Sequence, residues 1–263
     1  MGPIRVVSLN TWKCEGDYER RLRLMADGLK AQAADLVLLQ EVFATLDGTI
    51  NTGSFVAEHL QMHCCFQPGR RKVRSLKGND VKSYSGLAIL SRYPYEETGA
   101  LALPEDGRDG DRWAHWLRVH IDGHTILVIN THLSHLEDRE DLRRQQLESI
   151  VAFASTCPGD HLVILGGDFN SRPGDPAMNW LDSQQLFPGR NAWLAAPYLQ
   201  AMGTLVEEGD QACIDHLFSF TPCSDQAGIR WSTCFVALNE PDGAGNYPSD
   251  HLAVVAELAC PGP

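Results

Sequence analysis

The chain has 263 residues, 43% hydrophobic and 21% charged, which excludes disordered, collagen-like and coiled-coil classes. That length fits one α/β domain spanning 1–263, and it buries enough surface to hold a core without a disulfide or metal staple. The net charge of −12 argues against gripping duplex nucleic acid by overall charge, and no apolar run is long enough to span a membrane.

The first predicted element is a strand at 4–10 (IRVVSLN). Leu22, Met25, Ala26 and Leu29 then recur at helical spacing, which predicts an amphipathic helix over 18–33. A second strand follows at 35–41 (DLVLLQE), completing a βαβ unit. Residues 69–82 (GRRKVRSLKGNDVK) read as a basic loop, and a strand is predicted at 86–91. Residues 104–111 form a Gly/Pro/Asp-rich loop. Strands at 113–121 and 124–132 are joined by Asp122-Gly123, which predicts an antiparallel hairpin. Leu147, Ile150, Val151 and Ala154 mark a helix over 138–155, and a strand follows at 161–168, giving a second βαβ unit. Further strands are predicted near 213–220, 229–237 and 251–258, with a loop at 239–248. This mixture of parallel and antiparallel strands predicts paired mixed sheets flanked by helices rather than a parallel Rossmann sheet. Eight cysteines without a CxxC pair read as reduced thiols, and no targeting segment is visible, so a cytoplasmic protein is expected.

In a right-handed βαβ unit both strands end on one edge of the sheet, where ligands of α/β proteins gather. Asn10 and Glu41 end the strands of the first unit; Asn130, Thr131, His132 and Asp168 end those of the second, with Asn170 just beyond. Any one of these can be a turn former. Their number, and two acid–histidine neighbours, Asp215-His216 and Asp250-His251, favour a shared cleft. Asn10, Glu41 and Asp250 offer oxygen ligands suited to Mg2+ or Mn2+ rather than to a closed zinc site. Asp168 or His251 can act as base on a water, Asp215 can orient a histidine, and His132 can donate to a phosphoryl oxygen. Together they read as metal-assisted hydrolysis of a phosphate ester.

Six motifs in order, SLNTW (8–12), LLQEVF (38–43), INTHLS (129–134), LGGDFNSRPGD (165–175), IDHLF (214–218) and PSDHLAVV (248–255), resemble the endonuclease/exonuclease/phosphatase superfamily with its deoxyribonuclease I-like fold. The resemblance covers nearly the whole chain. It implies an α/β (α+β) four-layered sandwich, two mixed β-sheets packed face to face with helices outside. It implies phosphodiester hydrolysis with Mg2+ or Mn2+, Glu41 being the main metal ligand with Asn10 and Asp250 nearby. By the same resemblance Asp168 and Asn170 position or activate the water, His251 pairs with Asp215, and His132 stabilises the phosphoryl transition state. Which residue is the base stays open. Arg112 and Tyr84 resemble cleft residues of the family, although a surface ion pair for Arg112 and a core or rim tyrosine for Tyr84 are the plain alternatives.

NTHL departs from the apurinic-site endonucleases, and IDHLF from the WCDRI-type segment of inositol polyphosphate 5-phosphatases. The pattern is closer to deoxyribonuclease I, neutral sphingomyelinases and small bacterial-type members. His216 stands where the family often has Arg or Tyr; it bears on substrate choice or is a core histidine. In 69–82, Arg70, Arg71, Lys72, Arg74, Lys77 and Lys82 face Asp80 alone, a net +5 that leaves the rest of the chain at −17 against the total of −12. Arg70, Arg71 and Lys72 are therefore candidate phosphate contacts beyond the scissile group. The expected partner is a phosphodiester substrate, nucleic acid or small molecule. The alternatives are a sphingomyelinase-like lipid phosphodiesterase and a catalytically silent phosphate-binding protein. No protein partner is predictable. The six tryptophans are scattered and read as core.

Overall fold

The computed structural model describes residues 2–157, 162–184, 190–195, 203–206, 212–221 and 229–259. Among these residues, twelve strands and four α-helices follow in chain order: β1 (Ile4–Asn10), α1 (Tyr18–Ala31), β2 (Leu36–Thr45), α2 (Thr52–Leu60), β3 (His63–Leu76), β4 (Asn79–Ser91), β5 (Tyr95–Ala102), β6 (Trp113–Ile121), β7 (His124–His132), α3 (Glu140–Ser155), β8 (Leu162–Asp168), α4 (Pro176–Asp182), β9 (Arg190–Asn191), β10 (Asp215–Phe220), β11 (Arg230–Ala237) and β12 (Ala253–Ala259).

They build two six-stranded sheets, ordered β11-β12-β1-β2-β4-β3 and β5-β6-β7-β8-β10-β9. Each sheet centres on one parallel pair, β1–β2 or β7–β8, with antiparallel neighbours on both sides. The two βαβ units read from the sequence are these central pairs. The four central strands β1, β2, β7 and β8 are buried at nearly every position because both faces of each sheet are covered there. In β1, Val6 enters the layer between the sheets, where it meets Leu36, Leu117, Val128 and Ile164. Its neighbour Val7 points the other way, into a layer with Met25, Ala26 and Leu29 of α1. Leu127, Ile129 and Leu165 do the same towards Leu147, Ile150 and Ala154 of α3. The result is four layers: helices, sheet, sheet, helices.

The basic stretch 69–82 is not a loop. It is the distal part of the β3–β4 hairpin, paired from Arg70↔Ser85 to Leu76↔Asn79. In β3 its residues from 69 to 76 are exposed or half-buried, with no buried face, because β3 is an edge strand, and charge on an edge blocks pairing with another chain. The 122–123 turn is as expected, with Asp122 at φ +48 and Gly123 at φ +85. The cysteines that are described, Cys14, Cys64, Cys65, Cys157, Cys213 and Cys234, are free thiols; Cys223 and Cys260 lie outside the described residues. No helix among the described residues is long and apolar enough to cross a membrane.

Two side-chain features set the sheets against each other. Asn130 on β7 donates to the carbonyls of Leu39 (2.8 Å) and Ala88 (3.0 Å) in the opposite sheet, and accepts from Gln40 Nε2 at 2.8 Å. Gly166 lets β8 lie close to Leu38 of the facing sheet, while Gly167 lets it lie close to β7 of its own sheet. A Cβ on Gly167, whose φ is +144, would lie 1.9 Å from the Thr131 carbonyl oxygen. At Gly166 it would meet the flexible ends of Leu217 and Leu38 at 2.5 and 2.7 Å. Gly167→Ala is therefore expected to destabilise by more than about 3 kcal/mol, since backbone cannot yield as a side chain can. Gly166→Ala should cost less. Thermal melts of both variants check the order, and a Gly167→Ala melt matching wild type would contradict it.

Candidate active site

The ends of the two central strand pairs meet in a cleft of about 400 Å³ lined by Asn10, Glu41, His132, Asp168, Asn170, Asp250 and His251 among others. Strand register places its core. His132 on β7 pairs with Asp168 on β8, and Asp168 pairs with Asp215 on β10, so three side chains stand in a row along one sheet edge. Asn10 comes from the facing sheet and donates from Nδ2 to Asp168 Oδ2 at 3.0 Å. The same oxygen lies 3.4 Å from His132 Nε2 and 3.9 Å from His251 Nε2. Its partner Oδ1 accepts from the Asn170 backbone N–H at 2.9 Å. Asn170 sits at φ +48 and anchors its own amide on the Leu133 carbonyl at 3.0 Å.

Asp215 is fully buried and bonds His251 Nδ1 through Oδ2 at 2.9 Å. This carboxylate leaves the outer ring nitrogen, Nε2, for the cleft side of the pair. Burial alone would lower the His251 pKa, but the charges of Asp215, Asp168 and Asp250 and the bond to Asp215 raise it to about 10. Asp168 is pushed up to about 7, first by burial and then by the like charge of Asp215. His132 is held well below its ordinary value by burial and by the cations around it, Arg112 first. At neutral pH the cleft therefore holds a protonated His251, a neutral His132 and a carboxyl group poised to change state.

Glu41 reaches the same cleft by a different device. The β2–β4 pairing skips between Leu39 and Val42, and Glu41 takes φ +53 in that bulge. A bulge re-aims a side chain, and a non-glycine residue held there stores roughly 1–3 kcal/mol of strain. Gln40 thereby stays between the sheets while Glu41 faces the cleft, where Lys13 Nζ lies 2.6 Å from its Oε1. Asp250 has a raised pKa, mainly from burial and further from the Glu41 charge. Two carboxylates close enough to repel, with the Asn10 amide on the same cleft wall, suit a hard cation with oxygen ligands. A second set of donors, Asp168, Asp215 and His251, lies within 4.8 Å, but Asp215 and His251 already spend atoms on each other.

The segments bearing Asn10 and Asp250 are tied by Arg21 of α1. All five of its N–H groups donate to carbonyls, those of Thr11, Trp12, Lys13, Glu15 and Pro248, at 2.9 to 3.2 Å. Its guanidinium also stacks 4.7 Å from the Trp12 ring centroid. Ser249 completes the tie, donating to the Asn10 carbonyl at 2.6 Å.

Of the expected phosphate contacts, Arg70, Lys72 and Arg112 line the cleft. Arg71 and Tyr84 do not. They are register partners on the opposite face of the β3–β4 hairpin, one residue out of phase with Arg70 and Lys72. Arg112 donates from Nε and Nη2 to Asp109 (3.1 and 2.6 Å) and from Nη1 to the His132 carbonyl (3.3 Å). His216 is a core residue, fully buried against Phe169 and Phe218, with Nε2 at 3.0 Å from the Ser171 carbonyl oxygen. Trp12 and Trp113 line the cleft instead of the core. Arg74 of the basic stretch lines it too, as do Lys13, Asp109 and His135, to which no motif pointed. Lys13 and His135 each sit one residue past a quoted motif, SLNTW and INTHLS, so longer motif windows alone would have brought them in.

A family model described as Endonuclease/Exonuclease/phosphatase family matches residues 7–251. No curated protein matches the chain. Among solved structures, an endonuclease/exonuclease/phosphatase from Beutenbergia cavernae is similar at 22% identity and TM-score 0.74, over 99% of this chain and 72% of that one. The human Nocturnin catalytic domain with bound sulfate anion is similar at 19% identity and TM-score 0.73, over 99% and 94%. D. rerio TDP2 complexed with single strand DNA product is similar at 16% identity and TM-score 0.71, over 98% and 99%. These likenesses show a shared fold.

Proposed function

Because the chain belongs to the endonuclease/exonuclease/phosphatase family of phosphoric ester hydrolases, we propose that its cleft hydrolyses phosphodiesters with the help of a divalent cation, Mg2+ or Mn2+. The observation that carries this reading is the convergence of Asn10, His132 and His251 on one oxygen of Asp168. Glu41, Asp250 and Asn10 would hold the ion, which supplies charge neutralisation at the phosphoryl oxygens. The proton-handling groups have opposite poise: Asp168 titrates near neutrality while His251 keeps its proton. That separation assigns their tasks. Asp168 takes the proton from the attacking water as its oxygen bonds to phosphorus. His251 gives its Nε2 proton to the leaving oxygen as the old P–O bond breaks. Asp168 Oδ2 and His251 Nε2 are 3.9 Å apart, so a single proton transfer between them, bridged by water, restores both. His132, neutral, donates to a phosphoryl oxygen, and Asn170 helps seat the water.

The substrate is anionic. Among the lining residues five cations, Lys13, Arg70, Lys72, Arg74 and Arg112, offset five carboxylates, whereas the chain as a whole is strongly acidic. Burial and the nearby charges of Arg70 and Arg74 lower the pKa of Lys72, as expected where like charges crowd on one strand face. The single-stranded DNA product on D. rerio TDP2 supports a nucleic-acid substrate for a fold of this kind. A chromogenic phosphodiester assay tests the reading. Turnover should require Mg2+ or Mn2+ and vanish in EDTA. Glu41→Gln should raise the ion concentration for half-maximal rate by about 10- to 100-fold or more, the loss that even an outer-sphere partner brings. Undiminished turnover in EDTA would overturn it.

A further inference from the structure

We propose that Arg112, His135 and Arg70, gathered around the buried carboxylate of Asp109, form a second anion subsite of the cleft. Its ligand is a phosphate group of the substrate other than the one being cleaved. This rests on the phosphodiester reading above and adds a substrate requirement to it.

Asp109 is the organising group. Its side chain is 1% exposed, in the loop before β6. It accepts two bonds from Arg112, and His135 Nδ1 lies 2.5 Å from its Oδ1. The His135 backbone N–H adds a longer bond at 3.3 Å. Arg70 crosses from β3 in the other sheet and donates from Nη1 to the Asp109 carbonyl at 3.0 Å. Burial would raise the Asp109 pKa, but the Arg112 and Ser134 bonds and the charges of Arg112 and His135 lower it, so the carboxylate is ionised. One negative charge thus organises two permanent positive charges and an imidazole, leaving the cluster net cationic.

The donors that remain face a ligand's needs. Arg112 spends three of its five N–H groups on Asp109 and the His132 carbonyl, and Nη2 also lies 2.8 Å from His135 Nδ1, which leaves one N–H, on Nη1, for a ligand. His135 Nδ1 sits between Asp109 Oδ1 at 2.5 Å and Arg112 Nη2 at 2.8 Å, and these two contacts hold the ring orientation. Nε2 makes no hydrogen bond among the described residues, and the side chain is 59% exposed at the cleft wall. Held donors around a buried counter-charge bind anions without paying to order themselves. A carboxylate-rich reaction centre cannot take a second phosphate, whereas this cluster abuts it through the Arg112–His132 bond. Phosphate is the class that fits, because guanidinium and imidazole donors match its several oxygens. Such a group comes either from a flanking nucleotide diester or from a terminal phosphomonoester.

Two measurements test this, on wild type, His135→Ala and His135→Gln; the exposure of His135 predicts that all three fold alike. In EDTA, calorimetric titration with inorganic phosphate should show binding that weakens about tenfold or more in His135→Ala, the loss of one charge-assisted bond, and recovers in part in His135→Gln. With Mg2+, the specificity constant should be higher for pdTpdT or dTpdTpdT than for dTpdT, and that ratio should fall towards one in His135→Ala. A preference confined to pdTpdT identifies a terminal monoester, and one confined to dTpdTpdT a flanking diester. Equal phosphate binding in wild type and His135→Ala, or a ratio untouched by the variant, overturns the subsite. Phosphate binding that depends on His135 without turnover of any of the three substrates overturns the phosphodiester reading and leaves the subsite standing.

Discussion

Asp168→Asn lowers the rate constant for phosphodiester cleavage by about 10²–10⁴-fold, the range that general acid–base groups supply. The reason is geometric. Asp168 Oδ2 is the one atom approached by Asn10, His132 and His251, and an amide in its place cannot take a proton from water. Wild-type kcat/KM, which reports groups of the free protein, should climb with pH as Asp168 loses its proton around pH 7 and then level off. The variant should lack that limb. Single-turnover rates between pH 5 and 9 read both features. Activity of Asp168→Asn within tenfold of wild type would remove Asp168 from the proton path.

Asp215→Asn has a comparable kinetic effect and a thermodynamic signature of known sign. Replacing the acid behind a catalytic imidazole costs about 10⁴-fold in serine-protease triads, where the wrong tautomer is left behind. Here the fully buried Asp215 holds His251 Nδ1, so the same loss of orientation follows. Stability adds an independent reading. Burial opposes the charge on His251, yet Asp215 and its neighbours raise the pKa to about 10, above the ordinary 6.5 of an unfolded chain. A group raised on folding stabilises fully below its unfolded pKa and loses that contribution as pH rises through its folded value. The pair should therefore stabilise the metal-free protein by a few kcal/mol at pH 6 and by progressively less towards pH 10. Urea melts of wild type and Asp215→Asn in EDTA at these pH values measure the gap. A gap that stays constant with pH contradicts the His251–Asp215 assignment.

Much of this fold is legible because its central strands and the two long helices α1 and α3 bury apolar residues at regular spacing. Val6 and Val7 on β1, and Leu147 and Ile150 on α3, need only period and composition to be placed. The β3 strand was hidden because an edge strand with Arg70, Arg71, Lys72 and Arg74 has no apolar alternation to betray it. Tyr84 and Arg71 failed for a related reason: a single step along a strand reverses the face, and phase is set by pairing with a distant segment. The strand-end residues Asn10, His132 and Asp168 were visible through the topology that gathers them. Asp109 and His135 were not, since their roles arise from contacts 26 residues apart in a loop without periodicity. Glu41 is legible by motif and as the expected end of its strand, but β2 runs on to Thr45, and the bulge that turns Glu41 into the cleft carries no sequence mark.

The guanidinium of Arg21 has a further bearing on how the enzyme comes into being. It joins the turn after β1 to Pro248, just ahead of β12, and β12 itself fills the gap between β1 and β11. A nascent polypeptide emerging from the ribosome could shape both βαβ units long before that late strand exists, but Asp250 and His251 would have nowhere to dock. Completion of the cleft is thus deferred until synthesis has passed β12, and a truncation shortly upstream of Pro248 would leave a scaffold without Asp250 and His251.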